Sequence, residues 1–272
     1  MGQLHFYKMQ GAGNDFVLFD NRDLQLRLDQ IISITPKLCH RKLGVGADGV
    51  LILDHSDIAD YTMIYRNADG SDAGMCGNGG RCIALFAHKV GFPQDHTFSV
   101  HKKIYKSSVH DQFVTLDFPV TTNVEECKTT KGEPVLKINS GTEHVVLIST
   151  PTLLEDEEVL RTKGRSIRTD GTFQPKGTNV NFLNGLSDSH IEIRTYERGV
   201  EDLTLACGTG TIASAIAWHH QLHKTDPDNT YTVDNPGGSL TVSFQFNEGQ
   251  QNYDHIQLKG PAEIVFEGTY NY

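Results

Sequence analysis

Apolar and polar residues are distributed in short segments whose order recurs in the two halves of the chain. Tyr61-Thr62-Met63-Ile64-Tyr65 and Ile191-Glu192-Ile193-Arg194-Thr195-Tyr196 are rich in β-branched and aromatic residues and read as strands. Val50-Leu51-Ile52-Leu53 reads as another. After each of the first two comes a Cys-Gly-x-Gly turn, then a helix expected over Ile83–Val90 in one half and Ile212–His219 in the other. Ile83, Ala84, Leu85, Phe86 and Ala87 stand in succession, so the first helix is apolar nearly all round, the pattern of a helix buried on every side. Two strands are predicted to follow in each half: Phe98–Tyr105 and Phe113–Phe118, then Tyr231–Val233 and Leu240–Phe246. A last strand over Glu263–Phe266 follows the second unit and is free to return to the first.

The recurrence is a repeat. Cys76-Gly77-Asn78-Gly79-Gly80 returns as Cys207-Gly208-Thr209-Gly210-Thr211, and Tyr65-Arg66-Asn67 returns at the same offset as Tyr196-Glu197-Arg198. Thr97-Phe98-Ser99-Val100 is echoed by Thr230-Tyr231-Thr232-Val233 with two residues of drift. Three matches in one order indicate a duplicated unit. A buried helix flanked by strands calls for a sheet around it. The expected fold is therefore α+β, with two pseudo-symmetric domains, each a mixed or antiparallel sheet wrapped around a central buried helix. The boundary falls near Pro119, giving residues 1–118 plus 263–272 as one domain and 119–262 as the other.

Composition narrows the function. Of the 272 residues 38% are hydrophobic, enough for a packed core, and Asp plus Glu (34) exceed Lys plus Arg (24) for a net charge of −10. Such a balance argues against nucleic acid or an anionic membrane as main partner. No apolar run approaches the roughly 18 residues of a membrane span, and the first residues lack the pattern of a signal peptide. The five cysteines, Cys39, Cys76, Cys82, Cys127 and Cys207, are odd in number and fit a reducing cytosol. Cys39, Cys82 and Cys127 read as structural, and His40, His101 and His219 as surface or packing residues. Glu155-Asp156-Glu157-Glu158 reads as a solvated face. Gly44-Val45-Gly46-Ala47-Asp48-Gly49 matches G-x-G-x-x-G, but a strand follows it where a dinucleotide site needs a helix, so it is expected to be a glycine turn lining the substrate site.

The repeated motif carries its own chemistry. Glycine after cysteine lets the backbone turn sharply and approach a ligand. The helix that follows begins with N–H groups that have no partner inside it, and these attract a carboxylate. The same positive end lowers the pKa of a thiol placed there. Two such turns facing one another would hold one carboxylate and flank its α-carbon with two thiols. One thiolate would remove a proton and the opposite thiol return one, inverting the centre without a cofactor. The same pair admits a second reading, a redox-responsive binding protein in which Cys76 and Cys207 form a disulfide across a cleft.

Gly13-Asn14-Asp15-Phe16, Asn67-Ala68-Asp69-Gly70-Ser71, Met75-Cys76-Gly77-Asn78-Gly79-Gly80-Arg81-Cys82, Tyr196-Glu197-Arg198-Gly199 and Ala206-Cys207-Gly208-Thr209-Gly210 resemble, in order, the motifs of the diaminopimelate epimerase family. Gly260-Pro261-Ala262 with Val265-Phe266-Glu267-Gly268 is similar to that family's ending. The resemblance implies a cofactor-independent epimerase that interconverts LL- and meso-diaminopimelate in lysine and peptidoglycan-precursor synthesis, a cytoplasmic homodimer. Cys76 and Cys207 would be the acid/base pair, with Glu197 and His144 assisting at the thiols or the substrate ammonium. Backbone N–H groups of Gly77, Asn78, Gly208 and Thr209 would hold the reacting carboxylate. Asn14, Asn67, Asn179 and Arg198 would read the distal amino-acid head, where a bidentate guanidinium suits a carboxylate. The chain departs from the family in having Thr142-Glu143 where Asn-Pro often precedes the histidine, and in a ten-residue spacing from Glu197 to Cys207 where nine is common.

Overall fold

The computed structural model describes residues 2–272, and their contacts divide the chain into two units, residues 2–117 with 260–272, and residues 118–259. In the first unit the strands are β1 (Gln3–Gly11), β2 (Asn14–Asp20), β3 (Gly49–Asp54), β4 (Tyr61–Asn67), β5 (Asp72–Ala73), β6 (Asp95–Val100), β7 (Lys103–His110) and β8 (Phe113–Phe118), with helices α1 (Leu28–Cys39) and α2 (Gly77–Lys89). The second unit holds β9 (Glu125–Lys128), β10 (Pro134–Asn139), β11 (Glu143–Ile148), β12 (Asn179–Ser187), β13 (His190–Glu197), β14 (Asp202–Thr204), β15 (Asp228–Asn235), β16 (Gly238–Asn247) and β17 (Asn252–Pro261). Its helices are α3 (Pro151–Glu155), α4 (Glu157–Arg168) and α5 (Gly208–Gln221), and the final strand β18 (Glu263–Asn271) pairs with β1 in the first unit.

The pairing pattern of one unit repeats in the other. In the first, β18, β1, β2, β3, β4, β6, β7 and β8 lie side by side; the β2–β3 and β4–β6 pairs are parallel and the rest antiparallel. In the second, β9 to β13 and then β15, β16 and β17 follow the same order, with β11–β12 and β13–β15 parallel. A parallel pair cannot be joined by a tight hairpin and needs a crossover. The crossovers are α1 and α2 in one unit, and α3–α4 and α5 in the other. Helix α2 touches β1, β2, β3, β4 and β7, and α5 touches β10 to β13, β15 and β16, so each sheet curves around its helix. Ile83, Ala84, Phe86 and Ala87 on α2 and Ile212, Ala213, Ala215 and Ile216 on α5 are buried. The outer face of each sheet is covered by the other crossover: Ile31, Ile34 and Leu38 of α1 pack on Val17, Phe19, Val50 and Ile52, and Leu160 and Ile167 of α4 on Val145, Val180, Phe182 and Tyr196. Strands covered on both faces must be apolar on both, hence the unbroken run in β3. No helix among the described residues is long and apolar enough to cross a membrane.

Two features differ from the sequence-based expectations. Both central helices start earlier than Ile83 and Ile212: the cysteine is the cap residue, and the glycines expected to form a turn are the first helical turn. They are small because the sheet is close; a Cβ on Gly80 would come 2.7 Å from the Met75 methyl, and one on Gly210 would come 2.5 Å from Asn181 Oδ1. The strand expected over Phe98–Tyr105 is a hairpin, β6 to β7, with His101 and Lys102 at positive φ (46° and 68°). Neither residue is a usual one for that turn, so no break is legible there from the residues alone. The acidic run Glu155–Glu158 is solvent-exposed along its whole length, as expected, and it also forms the junction between α3 and α4, where Asp156 Oδ1 accepts from Val159 N (3.1 Å) and caps α4.

Gly164 sits in α4, where its absent side chain lets the helix close on the Tyr196 ring: a Cβ there would lie 2.6 Å from Tyr196 Cβ and Cγ. Alanine favours a helix over glycine by about 1 kcal/mol, but overpacking costs about 1–3 kcal/mol. The Gly164→Ala protein is therefore expected to melt a few degrees lower than the parent by calorimetry; a higher melting temperature would show that α4 is not seated as described.

Candidate active site

In the first unit the sequence-predicted residues collect at the start of α2. Cys76 has extended backbone (φ −116°, ψ 121°) and its Sγ accepts from Gly79 N at 3.5 Å, so the thiol itself caps the helix. Gly77 and Asn78 are the first helical residues, with N–H groups that point out of the helix end. The Asn78 amide is buried and tied on both sides: its Nδ2 donates to Asn14 Oδ1 (2.6 Å) and its Oδ1 accepts from Arg81 Nη2 (2.8 Å). Asn14 Nδ2 donates in turn to Asp48 Oδ2 (2.9 Å), and Arg41 bridges Asp48 and Asp15 (2.7 and 2.8 Å). The glycine turn thus reaches the cluster through Asp48. Burial works against the Asp15 charge, but Arg41 and Lys8 hold its carboxyl well below the usual range. Asn67, at the end of β4, bonds within its own turn, donating to Ser71 Oγ (3.0 Å).

Arg81 is a fully buried cation. It donates to three neutral oxygens: Gly77 O, Asn78 Oδ1 and, through Nε, Pro261 O (3.2 Å). Burial lowers its pKa to about 10, against the pull of the nearby Cys82 and Cys76 thiols, and it stays charged at neutral pH. Burial pushes the thiols of Cys39 and Cys82 up to about 12 and raises that of Cys127, which makes all three poor nucleophiles.

In the second unit Cys207 precedes α5 with the same extended backbone (φ −123°, ψ 111°), and Gly208 and Thr209 open the helix. The Thr209 hydroxyl lies 3.6 Å from Cys207 Sγ and 2.9 Å from His144 Nε2. His144, on β11, also meets Thr142 Oγ1 (2.9 Å) and Asn181 Nδ2 (3.1 Å). It is fully buried. Desolvation, with the Arg198 charge next, lowers its pKa to about 3. Asn179 Oδ1 accepts from Arg198 N (2.8 Å), and its Nδ2 donates to Glu143 O (2.9 Å). The Arg198 guanidinium is braced by Lys176 O (3.0 Å) and Gly177 O (3.4 Å). Glu197 ends β13 beside it, half-buried.

The family model of diaminopimelate epimerase matches residues 6–113 and 136–265. The chain belongs to the diaminopimelate epimerase family. It is 38% identical to the diaminopimelate epimerase of Flavobacterium psychrophilum, over 98% of this chain and all of that protein, and 37% identical to that of Chlorobaculum tepidum, over 96% and 99%. Among solved structures, a PhzF-family phenazine biosynthesis protein from Bacillus anthracis superposes with a TM-score of 0.78 at 14% identity, covering both chains in full. A hydroxyproline epimerase from Agrobacterium vitis gives 0.67 at 15%, covering 98% of this chain and 92% of that one. At those identities the likeness is one of fold, the two-unit α+β architecture expected from the repeat.

For a diaminopimelate epimerase family member, the sequence reading left three residues without a role. Arg81 stood inside the quoted motif with no function attached. Thr195 stands in a predicted strand with no chemistry attached and Asn181 carries no motif, although Asn179 and Asn181 alternate with Val180 and Phe182 on β12 and so face the same side of the sheet. A buried asparagine in an otherwise apolar strand is a signal that its partners matter.

His144 should remain neutral across the physiological range. Its folded-state proton affinity is depressed while the unfolded chain has the ordinary value of about 6.5. The unfolded state therefore binds protons first, and stability falls as pH drops from about 6.5 toward 3. In an NMR titration the His144 ring C–H signals are expected not to move between pH 8 and pH 5. A midpoint inside that range would contradict its buried, neutral state.

Proposed function

We propose that the chain is a cofactor-independent epimerase acting on diaminopimelate, interconverting its LL and meso forms with Cys76 and Cys207 as the two acid/base groups. The observation that carries this reading is that each unit opens its buried helix immediately after one of these cysteines, in a chain of the diaminopimelate epimerase family. The N–H groups of Gly77, Asn78, Gly208 and Thr209 stand in the first turns of the two helices, where backbone donors lack helical acceptors and a carboxylate is favoured.

In the proposed reaction a thiolate takes the α-proton from one face of the substrate, leaving a carbanion-like centre whose charge spreads into the carboxylate. The opposite thiol gives its proton to the other face. One proton leaves and one arrives, so the substrate's net composition is unchanged and the thiol and thiolate have exchanged places. The helix N-termini are arranged before the charge develops, which is what lowers the barrier. His144, being neutral, contributes as a hydrogen-bonding group and not as a cation; Glu197 is assigned to the substrate ammonium. Asn14, Asn67, Asn179 and Arg198 are assigned to the distal head. A shorter amino acid would forgo the contacts with that head, which disfavours it. The two units are read as the two domains of the enzyme, which we place in the cytoplasm as a homodimer, in the synthesis of lysine and peptidoglycan precursors.

The test is proton NMR of diaminopimelate with pure protein in D₂O, against proline and glutamate. Deuterium is expected at the diaminopimelate α-carbon only. Cys76→Ala and Cys207→Ala should each lower epimerisation by roughly 10²–10⁴-fold with the far-ultraviolet spectrum preserved. Parent-like turnover by either variant would end the two-thiol reading, and exchange on proline instead would reassign the substrate.

A further inference from the structure

The hydrogen bonds around His144 have a direction that can be read from one end. A backbone carbonyl can only accept, so the contact between Asn181 and Val145 O (3.0 Å) fixes the Asn181 amide with its NH₂ toward that carbonyl. Thr195 Oγ1 then donates to Asn181 Oδ1 (3.0 Å). The second amide hydrogen of Asn181 points at His144 Nδ1 (3.1 Å), which must accept. Since the ring is neutral, its hydrogen is on Nε2. Nε2 lies 2.9 Å from both Thr209 Oγ1 and Thr142 Oγ1, so its single hydrogen is shared between the two oxygens as a bifurcated donor. Thr142 Oγ1 also accepts from Asn179 Nδ2 at 3.5 Å; with that donor and the shared His144 hydrogen on its oxygen, the Thr142 hydrogen is assigned to the 3.2 Å contact with Thr209 Oγ1. With His144 and Thr142 both donating to it, the Thr209 oxygen has its lone pairs filled. Its one hydrogen is left for the Cys207 sulfur, 3.6 Å away.

We propose that Asn181 is a positioning residue which, through the tautomer of His144, holds the Thr209 hydroxyl with its hydrogen aimed at Cys207 Sγ. An O–H donated to sulfur favours the form of Cys207 that accepts, the thiolate that takes up a proton, over the thiol. The orientation is built into the protein and needs no substrate. Packing reinforces it: any side chain on Gly210 would collide with Asn181 Oδ1, so α5 is seated directly on the amide that sets the chain's direction. The charged group that faces His144 is Arg198, which opposes protonation of the ring and so keeps the chain in its neutral form.

The inference deepens the two-thiol reading but has a readout independent of it. In ¹⁵N-histidine-labelled protein without substrate, His144 is expected to show the Nε2–H tautomer alone. Asn181→Leu should convert it to a mixture, and kcat should fall roughly tenfold, the worth of one directed hydrogen bond, with a smaller change in KM. Thr209→Val should lower kcat similarly while His144 keeps its tautomer, and Thr209→Ser should restore it. A protein that turned over no diaminopimelate but showed the pure Nε2–H tautomer, lost in Asn181→Leu, would uphold this hydrogen-bond chain and overturn only the assigned reaction. An Nδ1–H tautomer in the parent, a pure Nε2–H tautomer in Asn181→Leu, or parent-like kcat in Thr209→Val would overturn the inference. If Asn181→Leu does not fold, the parent tautomer and the Thr209 pair still decide it.

Discussion

Each unit is organised around one constraint: a helix that begins inside a curved sheet exposes its first backbone donors where water is scarce. Those N–H groups have no acceptors within the helix, and leaving them unanswered in the interior would be costly. The sequence meets this with a cysteine at the cap and glycines in the first turn, so that the backbone is narrow enough to fit the sheet and its donors stay available. The parallel strand pairs force the helix to be a crossover, and the crossover carries the cap to the edge where the donors can meet a ligand. The proposed binding site and the fold have the same origin.

The polar residues behind the two helix starts differ in kind. In the first unit a charged network of Lys8, Asp15, Arg41 and Asp48 backs Asn14, while the buried Arg81 backs Asn78. Arg81 is bonded to neutral oxygens, and a desolvated guanidinium in that state makes its surroundings receptive to negative charge. In the second unit the support is neutral, a run of amide, imidazole and hydroxyls ending at Cys207. Duplicated halves with unlike supports give two similar cysteines unlike surroundings, in keeping with the proposed roles of one as proton acceptor and the other as donor.

Much of this was legible in the residues. The repeat, the strands at Tyr61 and Ile191, the apolar helices and the Cys-Gly pairs are local patterns, and they led to the α+β architecture and to the family. The helix starts were misplaced because glycine is a poor helix former, and only close packing against Leu116, Met75 and Asn181 makes it the right residue there. The hairpin at His101 and Lys102 was hidden because neither residue carries a turn signature. Helices α1, α3 and α4 were not anticipated, since their apolar faces are narrow stripes that gain their meaning from the sheet they cover.

His144 illustrates the division between the two levels. The sequence alone determined that a histidine stands near the middle of the chain, that two cysteines introduce two helices, and which residues are apolar enough to bury them, because those are properties of composition and spacing along one dimension. Only the tertiary structure decided that this histidine is desolvated and neutral, that Asn181 dictates where its hydrogen lies, and that Thr209 stands between it and a sulfur. Burial and hydrogen-bond direction depend on residues brought together from β11, β12, β13 and α5, and separation in sequence carries no record of that meeting.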